Sequence, residues 1–210
     1  KGTLDEDFIP NINQLLVCIQ ADWGGHSFAP IFICQNRKQA SNSPFIFEIP
    51  RKTFFVHFWS QDNIIKRDPT RKSKISTISY FGIKDNLAEE LKSDDWMSFL
   101  SSNNIEWNVV EEREKWGNYF SSDVVLFCRN FKGTPFHHKP ATKLYNTWIA
   151  GCLPIFTPES AFIDEIKGNE EAGIVINSYT ALKKNIINLN NSPEYFNKII
   201  ESGSQLGTNF

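Results

Sequence analysis

Acidic side chains are absent from residues 129–143, and no other absence in the sequence says as much. That stretch carries Arg129, Lys132, Lys139 and Lys143, together with His137 and His138, and no Asp or Glu. Other absences narrow the field. No apolar run approaches the roughly 18 residues that a membrane span needs, and no secretory signal peptide is visible. Neither a Walker-type G-x-x-x-x-G-K-[ST] nor a G-x-G-x-x-G is present, which disfavours the usual P-loop and dinucleotide sites. A G-x-S-x-G elbow is missing too, which disfavours an α/β-hydrolase. There is no internal repeat. A basic surplus is also lacking: 22 Lys and Arg stand against 24 Asp and Glu, a formal net charge of −2. A dedicated nucleic-acid binder needs a large excess of cations to neutralise phosphates, so that class is set aside. Cys18, Cys34, Cys128 and Cys152 form no C-x-x-C pair and no zinc spacing with histidine, so buried, reduced thiols of a cytoplasmic protein are expected.

What is present points to alternating strands and helices. The 210 residues are 40% hydrophobic and include 18 Phe, enough for one good core or two small ones. Residues 1–13 read as a tether. Asp5-Glu6-Asp7 spells the metal-binding triplet of one class of sugar transferases, but it precedes any strand and reads as a solvated acidic tip. Leu15–Ile19 is a continuous apolar run of the kind buried on both faces of a parallel sheet. A Gly24-Gly25 turn follows, with His26 as a candidate general base beside it. Ile31–Cys34 is a second strand, residues 36–44 a loop, and Phe45–Ile49 and Thr53–Phe58 two further strands. Residues 60–74 hold Lys66, Arg67, Arg71, Lys72 and Lys74 around Pro69. They read as a solvated linker whose charge suits anionic headgroups or phosphates.

A second α/β unit begins at the strand Ile75–Phe81, closed by Gly82. Helical spacing covers 87–100, and strands follow at Glu106–Val110 and Val124–Cys128. Pro140 then fits a first helical position, Leu144 and Trp148 share a face, and Gly151 ends the helix before the strand Leu153–Phe156. A helix near 161–167, a strand at 174–176 and helices at 179–189 and 193–202 complete the chain. Such alternation implies a parallel sheet with right-handed crossovers, which binds ligands at the carboxyl ends of its strands. Gly82, Arg129 and the loop before Pro140 all fall at such ends. Cations at a helix N-terminus oppose the macrodipole by ~0.3–1 kcal/mol each, and helix N-termini bind phosphate. The basic stretch therefore reads either as an anion site or as a solvated loop, and the strand-end placement favours the site.

The segment 142–156, Thr-Lys-Leu-Tyr-Asn-Thr-Trp-Ile-Ala-Gly-Cys-Leu-Pro-Ile-Phe, resembles the helix-and-strand motif of GT-B glycosyltransferases. It is similar to the corresponding element of α1,3-fucosyltransferases. The frames Lys139-Pro140-Ala141-Thr142-Lys143-Leu144 and Pro158-Glu159-Ser160-Ala161-Phe162 are closer still to bacterial cell-surface glycosyltransferases. The Tyr80-Phe81-Gly82 strand end is similar to the opening of their carboxyl-terminal domain. The resemblance spans residues 75–177 and extends more loosely over 14–65. It implies two Rossmann-like lobes with parallel sheets: a short amino-terminal lobe at 1–59, a basic linker at 60–74 and a donor-binding domain at 75–210. Lys143 takes the place of the lysine that meets the donor diphosphate, with Arg129, Lys139 and Thr142 beside it. Gly82, His138, Asn146, Glu159 and Ser160 would line the nucleotide and sugar side. His138 and Asn146 stand where retaining members carry a pair of acids.

The implied reaction is metal-independent transfer of a hexosyl or fucosyl group from a UDP- or GDP-sugar to a glycan or lipid-linked acceptor. No further cofactor and no nucleic acid are implied. His26 would deprotonate the acceptor if the outcome is inverting. A cytoplasmic enzyme touching the membrane peripherally through the basic linker is expected. The chain opens on Lys1 and both lobes are short for this fold, so a piece of a larger enzyme is expected. A non-catalytic nucleotide-sugar-binding module is the alternative. A response-regulator-like or two-lobe binding protein would share the α/β pattern without a reason for the acid-free stretch.

Overall fold

A computed structural model describes residues 9, 11, 13–20, 29–41 and 52–210. Asp5-Glu6-Asp7, His26 and the expected strand at 45–49 lie outside the described residues. The strands sort into two parallel sheets. The smaller contains β1 (Val17–Gln20), β2 (Ile31–Cys34) and β3 (Lys52–Phe55) in that order, with helix α1 (Arg37–Ser41) between β2 and β3. The larger contains β4 (Thr77–Phe81), β5 (Glu106–Val110), β6 (Val124–Phe127), β7 (Leu153–Phe156) and β8 (Ile174–Val175). Its spatial order is β5-β4-β6-β7-β8, a doubly wound arrangement in which the order reverses between β4 and β6. Helices α2 (Asp94–Ser102), α3 (Thr142–Ala150), α4 (Ser160–Ile166), α5 (Tyr179–Asn191) and α6 (Pro193–Gly207) accompany it.

Every residue of β4, β6 and β7 is buried, as continuous apolar runs in a doubly covered parallel sheet require. One buried cluster gathers Ile78, Tyr80, Leu91, Trp96, Leu126 and Leu182, and the other Phe81, Val125, Phe127, Leu144, Trp148 and Phe162. The small sheet differs from expectation. Val17 and Ile19 are exposed, as is Phe54 in register with Ile19 through Ile33. The one described helix of that lobe, α1, packs its Ala40 on the Phe32 and Cys34 side only, so among the described residues the other face has no cover.

Three helix boundaries differ from the periodicity. The spacing over 87–100 splits into a 3-10 turn at Glu89–Lys92 and the helix α2, because Ser93 accepts from the Trp96 N–H at 3.2 Å and starts a new helix. Helix α3 begins at Thr142 rather than Pro140. The His138 and Lys139 carbonyls accept from the Gln35 and Asn36 side chains at 2.9 and 3.0 Å, so they are not the first acceptors of the helix. Helix α6 continues past Ser202 because Gly203 allows it to lie directly on α3. A Cβ at Gly203 would meet Trp148 Cδ1 at 2.4 Å.

Residues 60–74 are bound along the larger sheet rather than solvated. Ile65 bridges to Asn118, the Arg67 N–H donates to the Ala150 carbonyl at 2.8 Å, and the Asp68 N–H donates to Phe120 at 3.0 Å. Arg67 and Arg71 turn inward onto Asp123, which is 1% exposed. Its carboxylate also accepts from the Ser76 N–H and hydroxyl, both at 2.8 Å, and from the Thr77 N–H at 2.9 Å. Asp123 immediately precedes β6 and Thr77 opens β4. The two arginines therefore sit at the amino ends of the strands, away from the carboxyl ends where a doubly wound sheet binds its ligand. Lys66, Lys72 and Lys74 remain exposed. Among the described residues no helix is long and apolar enough to cross a membrane. All four cysteines are free, with Cys34, Cys128 and Cys152 buried and Cys18 half-buried.

Candidate functional site

The strand order reverses between β4 and β6, the place where doubly wound sheets bind ligands, and the chain delivers a distinct set of side chains to the carboxyl ends of these two strands. Gly82 follows β4 with φ +153°, in the region that disfavours a side chain. Space reinforces the need for glycine. A Cβ at this position would lie 3.0 Å from Tyr80 Oη and 3.1 Å from Lys143 Nζ. Lys143 reaches this spot from the first turn of α3, and its Nζ lies 4.3 Å from the centre of the Tyr80 ring. Burial is the main influence on Lys143, with the nearby Arg129 charge next. Together they push its pKa down to about 7, against the opposing pull of Glu159. Burial likewise pushes the Tyr80 phenol up to about 12.

Arg129 follows β6 by two residues, and its Nε is 3.2 Å from Glu159 Oε1. Glu159 is 2% exposed. Burial raises its pKa, with the Arg129, Lys143 and Lys139 charges working the other way. Its Oε2 is buried without a hydrogen-bond partner, as is Thr142 Oγ1 at the start of α3. Helix α3 has no side-chain cap and no acid in its first turn, so the first N–H groups have no partner supplied by the helix itself. Three cations (Arg129, Lys139, Lys143), one open helix N-terminus and one buried hydroxyl thus converge around one carboxylate. That arrangement suits a multiply charged anion, which would take hydrogen bonds from side chains and helix together.

The other expected residues are placed as follows. The Lys139 backbone carbonyl is held by Asn36, and the Lys139 charge acts on both Lys143 and Glu159. The His138 side chain is exposed, its ring edge-on to Phe136 and its carbonyl bound by Gln35. Ser160 opens α4, and its hydroxyl accepts from Asn36 Nδ2 at 2.9 Å. The Asn146 amide is engaged elsewhere: its Oδ1 accepts from the Gln61 N–H at 2.9 Å and its Nδ2 donates to Gln61 Oε1 at 2.7 Å. It fastens residues 60–61 to α3. His26 lies outside the described residues. Among the described residues no group of three or more His, Cys, Asp and Glu side chains is close enough to hold a metal ion.

Two sets of residues were not anticipated. Gln35 and Asn36, just past β2, join the smaller sheet to the loop 138–139 and to Ser160. Asn36 Oδ1 also accepts from the Lys38 N–H at 2.8 Å and caps α1. The strand followed by Asn was a capping signal, although its reach across the molecule had none. A second contact between lobes centres on His57. Its Nδ1 is 3.2 Å from Tyr145 Oη and 3.4 Å from Glu165 Oε1, and its Nε2 is 3.3 Å from Arg37 Nη2. Arg37 can only donate, so Nε2 is the acceptor in that contact. Burial and the neighbouring Glu165 raise the Tyr145 pKa.

No protein-family model matches the chain, and no curated protein sequence matches it. Solved structures do resemble it. Sucrose-phosphate synthase from Thermosynechococcus elongatus superposes with a TM-score of 0.59 at 10% identity, covering 87% of this chain and 54% of that one. The fold is GT-B. TarM shares this GT-B architecture at a TM-score of 0.56 and 8% identity, covering 86% of this chain and 40% of its own. At these identities the likeness is one of fold, with two parallel sheets and helices as in the GT-B neighbours. The chain spans about half or less of each neighbour's length.

Proposed function

We propose that this chain is the donor-binding part of a glycosyltransferase, and that the crevice at Gly82 holds the diphosphate of a nucleotide sugar. The observation that carries the reading is the meeting of Lys143, Arg129 and the uncapped N-terminus of α3 at the point where the sheet order reverses. Doubly wound sheets bind their ligands there, and a diphosphate matches the charge. Lys143, Arg129 and Lys139 would stabilise the negative charge that builds on the departing diphosphate, the step where electrostatic stabilisation counts most. With those cations in place the transfer needs no metal ion at the diphosphate. Glu159 Oε2 and Ser160 offer acceptors to sugar or ribose hydroxyls. The acceptor would be a glycan or a lipid-linked glycan, and the setting cytoplasmic.

A thermal-shift screen with UDP, GDP, CMP and dTDP tests the reading, because a ligand that binds only the native state raises its stability by mass action. A clear shift with one nucleotide is expected, and no shift with any of them would sink the proposal.

The second reading is a binding module without turnover. It is favoured by the engagement of Asn146 with Gln61, at a position where retaining members of the family would carry an acid. Donor hydrolysis measured across common nucleotide sugars separates the two: an enzyme releases sugar, and a binding module retains the donor intact.

A further inference from the structure

We infer that Lys143 is uncharged in the empty crevice and takes up a proton as the diphosphate arrives, so that anion binding and protonation of one lysine are a single event. The inference rests on the donor-site reading above.

The geometry argues for it first. Lys143 is half-buried, packed on the Tyr80 ring and against the backbone at Gly82. Among the described residues it makes no hydrogen bond or ion pair with a carboxylate. The groups that face it come from every neighbouring element. Tyr80 on β4 is a phenol that stays neutral. Arg129 after β6 and Lys139 before α3 are cations, and His137 and His138 lie in the same loop. Glu159 before α4 is the one carboxylate in reach, and Arg129 already holds it at 3.2 Å. The open end of α3 adds further positive potential. A third full charge, on Lys143, in the empty site therefore meets repulsion from Arg129 and Lys139 and poor solvation, offset only by the face of the Tyr80 ring and by a carboxylate that Arg129 already holds. The depressed pKa of about 7 agrees with this picture. A bound diphosphate reverses the balance, because several negative oxygens then join the single carboxylate of Glu159, which is already shared with Arg129. The amine gains a proton from solvent and becomes an ammonium that donates to the ligand; no bond other than N–H forms, and nothing is oxidised or reduced.

Linkage fixes the sign. If binding takes up a proton, affinity falls as pH rises above the pKa of the free lysine, by up to about tenfold per pH unit, and levels off below it. At about pH 8.5 a nucleoside diphosphate is fully ionised and the free lysine is neutral, so the uptake is visible without a competing phosphate titration.

Isothermal titration calorimetry of the chain with UDP and with GDP tests this, at about pH 8.5 in two buffers of different ionisation enthalpy. Uptake close to one proton per nucleotide is expected. Lys143→Met should bind more weakly, lose the uptake and lose the pH dependence, while circular dichroism shows it folded. Binding by the unaltered chain with no proton uptake overturns the inference and leaves the donor site standing. Uptake that persists in Lys143→Met places the proton elsewhere, on a histidine of the loop for instance, and also overturns it. Failure of UDP, GDP, CMP, dTDP and inorganic pyrophosphate to bind at any pH overturns the donor-site reading and the inference with it.

Discussion

Asn36 Nδ2 donates to Ser160 Oγ at 2.9 Å, joining residues 124 apart in sequence. The same nitrogen reaches the Lys139 carbonyl, while Oδ1 caps α1. One buried amide therefore ties the smaller sheet to both loops that border the proposed donor site. Replacing it with Ala leaves the Lys139 carbonyl and the Ser160 hydroxyl short of a donor. Asn36→Ala is expected to lose about 1–3 kcal/mol of stability, the usual cost of unsatisfied buried polar groups. It should also weaken nucleotide binding, because the loops at 139 and 160 lose their anchor. Urea unfolding and calorimetry with UDP or GDP measure the two effects. Full affinity in a destabilised variant would reduce Asn36 to a structural role.

Lys143→Ala removes a charged donor from the crevice without cutting into the core of α3, whose buried face is Leu144, Tyr145 and Trp148. A charge-assisted hydrogen bond is worth about 1.5–3 kcal/mol, so nucleotide affinity is expected to drop by roughly ten- to a hundredfold. The melting temperature of the free protein should stay level or rise, since a half-buried amine loses its poor surroundings. Unchanged affinity would remove Lys143 from the site.

Gly82→Ala tests the same lysine from the other side. The new Cβ would meet Lys143 Nζ and Tyr80 Oη at about contact limit, 3.1 and 3.0 Å, on a backbone at φ +153° that resists any side chain. Weaker nucleotide binding is expected, with a stability loss of about 1–3 kcal/mol from the strained conformation. Equilibrium unfolding and calorimetry distinguish this from Lys143→Ala, in which stability is kept.

Asp123 is the buried carboxylate that holds residues 67–77 to the sheet. Burial alone would raise its pKa, but the hydrogen bonds from Arg71, Ser76 and Thr77 overcome that and hold it at about 2. A depressed folded pKa stabilises the native state above the unfolded value near 3.9. That stability is then lost as pH falls through about 2. The contribution is roughly 2 kcal/mol at neutral pH. Asp123→Asn leaves Arg67 and Arg71 without their buried counterion, with only Asp68 nearby, a change that typically costs up to about 3–5 kcal/mol. Urea midpoints measured from neutral pH down to about pH 2 should start lower in the variant and fall less steeply, since Asp68, Asp95 and Glu170 also have lowered pKa values and still titrate there. The unaltered chain should show a fall between the two pKa values. Parallel curves would refute the assignment.

Gly203→Ala places a methyl group 2.4 Å from Trp148 Cδ1, where Nε1 is fixed by a 2.8 Å bond to the Ala172 carbonyl. Overpacking of this kind costs about 1–3 kcal/mol. A lower denaturation midpoint is expected, with a shift in tryptophan emission as Trp148 moves. An unshifted midpoint would show that α6 slides away from α3 at little cost.

Local pattern was enough for much of the molecule. The runs Val124–Phe127 and Leu153–Phe156 are apolar at every residue or nearly so, and a run of that kind has few homes other than a covered parallel strand. Gly151 ends α3 in the left-handed conformation, as its place after the apolar face required. The acid-free stretch and the helix that follows it could be placed at the carboxyl end of a strand from sequence, because charge and the succession of elements are local, and the structure puts Arg129 and Lys143 there. What sequence alone did not decide depends on partners that are distant along the chain. Val17 and Ile19 have the composition of a buried strand, yet no described element covers them, and composition says nothing about what arrives on the other side. Arg67 and Arg71 look like any basic linker until Asp123 is placed between them. Asn146 occupies a site-like position on α3, but its amide faces Gln61, and only the path of residues 60–61 settles that. Periodicity and charge are written into neighbouring residues. Which buried polar group meets which is decided by packing, since each donor takes the acceptor that the assembled fold brings within 3 Å or so.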